Sequence, residues 1–266
     1  MAIENIMDLI EDYAQQWSEQ HGGGRSEIRF LDSSFANKAF QVGKDSTTYL
    51  EPTEQEMPDI KLDTQVFTND LTSPQTIQFN MQGEADTWQK WRIQDGAIEL
   101  GRRRFDVEPL YTSTEIANPL SLFLDDTLTI AGKTPFSVEN RDYMVRPRFK
   151  ITATLMATPK LSTRAFDVKR DITGYIELFR DLASGDRQES LHNVGAIFQR
   201  YYSPYIEVDG KTVTLRNRGE YQSLDVSNCY IHLLGESLDI PGLKEEYNIY
   251  NLSNGNGQGG IIPNNL

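Results

Sequence analysis

From Thr76 to Gln82, the apolar side chains Ile77, Phe79 and Met81 alternate with Thr76, Gln78, Asn80 and Gln82. Period-two patterning belongs to a strand with one buried face, because successive side chains point to opposite sides of a sheet. The alternation returns at Arg92–Leu100, Leu120–Ile130, Lys150–Met156, Ala165–Tyr175, Ile206–Leu215 and Tyr221–Leu234. No strand–helix–strand rhythm separates these runs, so the chain is expected to be mainly β and mostly antiparallel. The wet face of Thr76–Gln82 carries hydroxyls and amides but no charge, which keeps β-propensity without repulsion between neighbours.

Helical spacing is strong in one place. Ile3, Ile6, Ile10, Tyr13 and Trp17 recur with Leu9 and Ala14 beside them, predicting an amphipathic helix over 3–19 that Gly22-Gly23-Gly24 ends. A second short helix is expected at Leu191–Arg200. Candidate strands lie at Ile28–Leu31 and Phe35–Val42, while "EPTEQEMPD" reads as an irregular acidic connector.

Among 266 residues, 26 Lys and Arg stand against 39 Asp and Glu, a net charge of −13 that argues against nucleic acid as a partner. No run approaches the roughly 20 apolar residues of a membrane-spanning helix. The opening "MAIENIMDLIED" is acidic where a secretory leader is basic. The expectation is a protein made without a signal peptide, accumulated in the cell or released by lysis. Cys229 is the only cysteine, so no intramolecular disulfide can form.

Catalytic patterns are hard to find. His21, His192 and His232 have no metal-ligand spacing, and His232 alternates with Tyr230 and Leu234 as a structural strand residue would. Cys229 and His232 point to opposite faces of a strand, and no serine sits in a Gly-x-Ser-x-Gly elbow. Gly255-x-Gly257-x-x-Gly260 lacks the helix a dinucleotide fingerprint needs. The reading is a non-enzyme with no cofactor and no metal.

Three segments carry a resemblance. "VFTNDLTSPQTIQF" resembles the apolar-x-Asn-(Asn/Asp) and Gln-Thr segment of aerolysin-like β-pore-forming toxins, in the epsilon-toxin and mosquitocidal-toxin branch. "YMVRPRFKITATL" is similar to that family's Val-Pro-Pro segment, with Arg146 in place of the first proline, and "AFDVKRDITGYI" to its returning strand closed by a glycine, here Gly174. The N-terminal helix and glycine break resemble the opening of small insecticidal crystal proteins of the branch. The motifs occur in the family's order.

The resemblance implies an elongated fold of long antiparallel strands with a small head domain containing the N-terminal helix. The head, a receptor-binding domain, would hold 1–65 with 181–215. The body would hold 66–180 with 216–250, including a candidate insertion hairpin at 97–130, and 251–266 would be a flexible tail. Function would be that of a pore-forming toxin, insecticidal, that binds a cell-surface receptor (glycan or protein), forms a homo-oligomer and inserts a β-hairpin at the target membrane. The alternative is a non-lytic, lectin-like or structural binding protein on the same scaffold.

For the receptor, Trp17, Phe198, Tyr201, Tyr202 and Tyr205 are candidates, since clustered tyrosines offer stiff amphipathic contacts. The other reading is that they pack the head against the helix. For insertion, Ala97–Val107 would pair with Leu120–Ile130 through "EPLYTSTEIANP". Leu120, Leu122, Leu124, Leu128 and Ile130 share one face, with Phe123 on the other and Asp126 interrupting. Arg102 and Arg104 suit only a lumen or an interface. A hairpin that simply covers the body's core stands beside insertion as the second reading.

Overall fold

The structure is a computed structural model; it describes residues 3–98, 104–110, 118–124, 126–182, 184–250 and 261–263. Beyond these lie five residues of the candidate hairpin's first strand (99–103), part of its connection (111–117), Asp125, and most of the tail expected to be flexible.

In chain order the first elements are β1 (Ile3–Asn5), α1 (Ile6–Gln20), β2 (Ser26–Phe30), β3 (Gln41–Val42), β4 (Ser46–Tyr49), β5 (Thr53–Glu56) and β6 (Ile60–Asn69). There follow β7 (Gln75–Ile98), β8 (Arg104–Val107), β9 (Leu120–Phe123), β10 (Thr127–Val145), β11 (Phe149–Thr173), β12 (Tyr175–Asp181) and β13 (Arg187–Asn193). The last are α2 (Val194–Phe198), β14 (Ile206–Asp209), β15 (Thr212–Ser237), β16 (Lys244–Ile249) and β17 (Ile261–Pro263). The protein is mainly β with an N-terminal helix.

Several alternating runs merge into single, longer strands. β7, β11 and β15 each extend over 24 to 26 residues. Thr76–Gln82 and most of Arg92–Leu100 are one strand, as are Lys150–Met156 and Ala165–Thr173. β15 lies between β7 and β11 in the sheet, and the far edge of β11 is covered in turn by β6, β5, β4 and β3, all antiparallel.

Four local expectations need correction. The helix starts at Ile6, because Asn5 caps it by accepting from the Met7 amide, while Ile3–Asn5 pairs in parallel with Gly96–Ile98. Within "EPTEQEMPD", Thr53–Glu56 is a strand: the exposed edge of β11 at Lys160–Thr163 supplies its partner, which overrides the poor propensity of four polar residues. Phe35 lies in a 3-10 helix, Ser33–Lys38, capped by Asp32, and only Gln41–Val42 of that run is strand. The second helix is Val194–Phe198, capped by Asn193, while Leu191 stays in β13.

The chain divides into two compact units. Unit 1 comprises Met1–Glu51, Trp91–Leu128 and Arg164–Tyr221; unit 2 comprises Pro52–Lys90, Thr129–Thr163 and Gln222–Leu266. In unit 1, Ile6, Ile10, Tyr13, Ala14 and Trp17 of α1 pack with Ile172, Ile176, Leu178, Val194, Ile197 and Phe198. In unit 2 the core is strand against strand: Phe79, Met81 and Val138 meet Ile151, Leu155, Ile231 and Leu233. Thr76, Gln78, Asn80 and Gln82 are all exposed opposite that core.

Glycine sets two close approaches within unit 1. A Cβ on Gly219 would stand 2.2 Å from the Phe166 ring, and one on Gly96, whose φ is +153°, would stand 2.0 Å from Asn217 Oδ1. Only the missing side chain lets these strands meet there.

Asn69, from the first family-like segment, is 1% exposed in unit 2. Its Nδ2 lies within 3.1 Å of the carbonyls of Ser73, Val145 and Arg146, and its Oδ1 accepts from the Leu71 amide. One amide thus ties the β6–β7 connection to the β10–β11 turn. Arg148 (φ +57°) adds to the tie by bonding through its own amide to Leu71 O, and through its side chain to Asp70 O and Asp239.

Candidate functional site: the fastened hairpin and the aromatic surface of unit 1

β8 and β9 form a two-stranded sheet separate from the large one, with Arg104 opposite Phe123, Phe105 opposite Leu122, Asp106 opposite Ser121 and Val107 opposite Leu120. Its two faces differ sharply. Phe105, Val107, Leu120 and Leu122 are buried, whereas Arg104 is exposed and Phe123 is 51% exposed. Leu124, also buried, leaves the pair and bridges in parallel to Ile93 of β7. Leu128 and Ile130 lie half-buried in β10, on the far side of exposed Asp126. Val107 and Leu120 form the pair next to the connection 108–119.

The hairpin is held on unit 1 by side chains. Alternate residues of a strand direct their backbone groups to the same edge, so Asp106 and Glu108 present theirs away from β9. No strand pairs with that edge among the described residues. Instead, the Asp106 amide donates to Asp45 Oδ2 at 2.8 Å and the Glu108 amide to Thr47 Oγ1 at 3.0 Å. The Tyr49 hydroxyl donates to Glu108 O at 2.8 Å.

Why these three residues point together follows from β4. Its register against β11 sets Tyr49 opposite Phe166 and Thr47 opposite Val168, so Asp45, Thr47 and Tyr49 share the inward face while Ser46, Thr48 and Leu50 are exposed. Asp45 is also ion-paired to Arg170; the two side chains are 2% and 6% exposed. Tyr49 accepts from Trp91 Nε1 at 3.1 Å and packs with Phe166 and Tyr221. Burial pushes its phenol up to about 12, so it remains a donor across the neutral range.

The aromatic candidates separate by burial. Trp17 and Phe198 are in the unit 1 core, 6% and 1% exposed. Tyr201 is half-buried and donates to Asp12 at 2.8 Å; burial and that carboxylate both hold its phenol well above the ordinary value. Tyr205 is half-buried against the core. Tyr202 is 100% exposed. Beneath them, Tyr13 shares a hydrogen bond with His192 Nδ1, and Trp17 packs against both His192 and His21. Burial, then Arg200 and His21, lower the His192 pKa.

Cys229 is half-buried in β15, where burial pushes its thiol up to about 11. Among the described residues, no group of three or more His, Cys, Asp or Glu side chains is gathered for a metal ion. No helix among them is long and apolar enough to cross a membrane, which says nothing of strands.

Of the expected pairing of Ala97–Val107 with Leu120–Ile130, the described residues show Arg104–Val107 against Leu120–Phe123, while 97–98 end β7 and 127–130 open β10; the Asp45–Thr47–Tyr49 row was not anticipated. The signal available was the run "STTY", whose Thr and Tyr favour strands.

No protein-family model matches the sequence, and no curated protein matches it. Solved structures do. A chain of the Cry23Aa1–Cry37Aa1 binary complex is 14% identical, covering 95% of this chain and 98% of that one, with a TM-score of 0.65. The β-pore-forming protein Mpp75Aa1.1 of Brevibacillus laterosporus is 11% identical over 94% and 96%, with a TM-score of 0.61. A non-toxic crystal protein of Bacillus thuringiensis is 13% identical over 89% and 98%, with a TM-score of 0.62. At such identities the likeness is one of fold: the chain has the aerolysin-like fold of β-pore-forming proteins.

Proposed function

We propose that this protein is a pore-forming toxin, insecticidal in use, that recognises a cell-surface receptor through unit 1. It oligomerises and contributes the hairpin within 97–130 to a transmembrane β-barrel. The observation that carries the reading is the β8–β9 sheet: an amphipathic hairpin, separate from the main sheet, lying in sequence between the long strands β7 and β10. A hairpin can enter lipid only if a closed barrel pairs all its backbone groups. Each strand then needs about 9–11 residues, and 97–107 and 120–130 span that length.

In the inserted state Leu120, Leu122, Leu124, Leu128 and Ile130 face lipid, and Phe123 faces the lumen or an interface. Tyr202, with Tyr201 and Tyr205 beside it, is the exposed aromatic surface for a glycan or protein receptor, while Trp17 and Phe198 hold that surface from the core. No catalytic role, cofactor or metal enters this reading.

The test is single cysteines at Leu120, Leu122, Leu124, Ser121 and Phe123 in a Cys229→Ser background, each carrying an environment-sensitive dye. On receptor-bearing membranes the three leucine positions should report lipid and the other two water. A signal with no period of two overturns insertion of this hairpin. The likeness to a crystal protein described as non-toxic favours a second reading, a non-lytic binding protein on the same scaffold. Binding to those membranes without dye leakage would select it.

A further inference from the structure

We infer that the Asp45–Thr47–Tyr49 row is a latch that masks the outer edge of β8, and that its release exposes this edge to β-pairing with the hairpin of a second copy of this chain. The inference rests on the pore-forming reading above and says what controls it.

The backbone groups of Asp106 and Glu108 that point away from β9 are the ones an adjacent strand would use. All three observed bonds to that edge, at 2.8, 3.0 and 2.8 Å, come from side chains at alternate positions, Thr47 and Tyr49 of β4 and Asp45, which precedes it. This row imitates a neighbouring strand without joining the ladder. An uncovered edge is a template for pairing with another chain, and side chains that occupy it block such pairing.

Side-chain fastening differs from backbone pairing in what must break. Releasing β8 from β4 leaves every ladder bond of β4 to β11 in place and keeps the β8–β9 pairs intact. Once the Ile93–Leu124 bridge and the burial of its apolar face are also given up, the hairpin leaves as a unit, with Asp106 N, Glu108 N and Glu108 O newly unpaired. In lipid these groups must be satisfied by another strand, and the matching edge in a uniform population belongs to another copy.

Asp45, Thr47 and Tyr49 are positioning residues here, since none enters the membrane. The latch is also anchored from behind: Arg170 holds the Asp45 carboxylate, and Trp91 Nε1 donates to the Tyr49 oxygen.

The variants are Thr47→Val and Tyr49→Phe, singly and together, both close to the native shapes. Amide hydrogen exchange at Asp106 and Glu108 in the soluble protein is the direct readout. Exchange at Glu108 should rise about tenfold with either change, the effect of losing one hydrogen bond, while amides of the β11–β15 ladder stay as in the parent. On receptor-bearing vesicles the double variant should form heat-resistant oligomers sooner. A Thr47→Cys, Glu108→Cys pair in the Cys229→Ser background should prevent oligomers until reduced.

Unchanged exchange at Glu108, or a rise shared by every amide, overturns the latch. So does oligomerisation by the oxidised cysteine pair. If the variants exchange and oligomerise faster but no protein ever releases vesicle dye, the latch stands and the pore-forming reading falls. If the parent releases dye and the variants match it in exchange and oligomer formation, the pore-forming reading stands without the latch.

Discussion

Asn69 in unit 2 and the Asp45–Thr47–Tyr49 row in unit 1 both bond backbone groups of another segment through side chains. Asn69 concentrates the task in one buried amide that touches three carbonyls and one N–H. The row spreads its three bonds over separate side chains: Asp45 is buried against Arg170, while the Thr47 and Tyr49 bonds to Glu108 lie at the surface. A buried amide that loses its partners leaves several polar groups stranded at once, whereas water can replace the two surface bonds to Glu108 one at a time. The first arrangement suits a permanent joint, and the second a joint that opens.

The largest effect is expected at the permanent joint. Asn69→Ala should lower the unfolding free energy by about 2–4 kcal/mol, since it strands buried carbonyls and an amide together; denaturant melts would show it. A loss no larger than that of Thr47→Val would erase the distinction between the two joints.

Next comes Tyr49→Phe, which removes the donor to Glu108 O and the acceptor for Trp91 Nε1. About 1–2 kcal/mol is expected, concentrated in hairpin exchange. Alkali should mimic it. The folded phenol titrates at about 12 and the unfolded one near the ordinary value of 10. The neutral tyrosine's contribution is thus complete below pH 10 and is lost as the pH rises through 12. Proteolysis of the hairpin should accelerate across that window in the parent and not in Tyr49→Phe.

Thr47→Val should cost less, about 0.5–1 kcal/mol, again local to the hairpin. Smallest of all is Tyr202→Ala, a fully exposed position, expected within about 0.5 kcal/mol by thermal melting. Its effect belongs to cell binding. A clear loss of stability there would mean the side chain supports the fold.

The period-two signal made the β class legible, and the 3.6-residue signal located α1 to within three residues at its start. Strand length was hidden by a change of phase in β11. Phe149, Ile151, Ala153, Leu155 and Ala157 are buried at odd positions, Leu161–Arg164 are all half-exposed, and then Phe166, Val168, Arg170 and Ile172 are buried at even ones. A reader following alternation sees two strands where one passes through. The common buried face of Leu120, Leu122 and Leu124 was legible because its apolar alternation is local. The hairpin's fastening was not, because the contacts span 59 to 61 residues and end on backbone atoms, which leave no mark on residue type. Trp17 and Phe198 show the same limit, since an aromatic pattern does not say which rings are covered.

The glycine contacts within unit 1 have a consequence for how such strands find their alignment. A slip of one residue between paired strands turns every side chain to the wrong face and corrects itself. A slip of two does not, because alternation is preserved and each buried position is refilled by another buried residue. Along β15 such a slip would carry Asn217 or Tyr221 to the place where Gly219 admits the Phe166 ring at a distance no Cβ tolerates. Gly96 against Asn217 sets a like check between β7 and β15. Two missing side chains thus act as proofreading marks: they reject a two-residue slip, an error in strand alignment that hydrophobic patterning cannot detect.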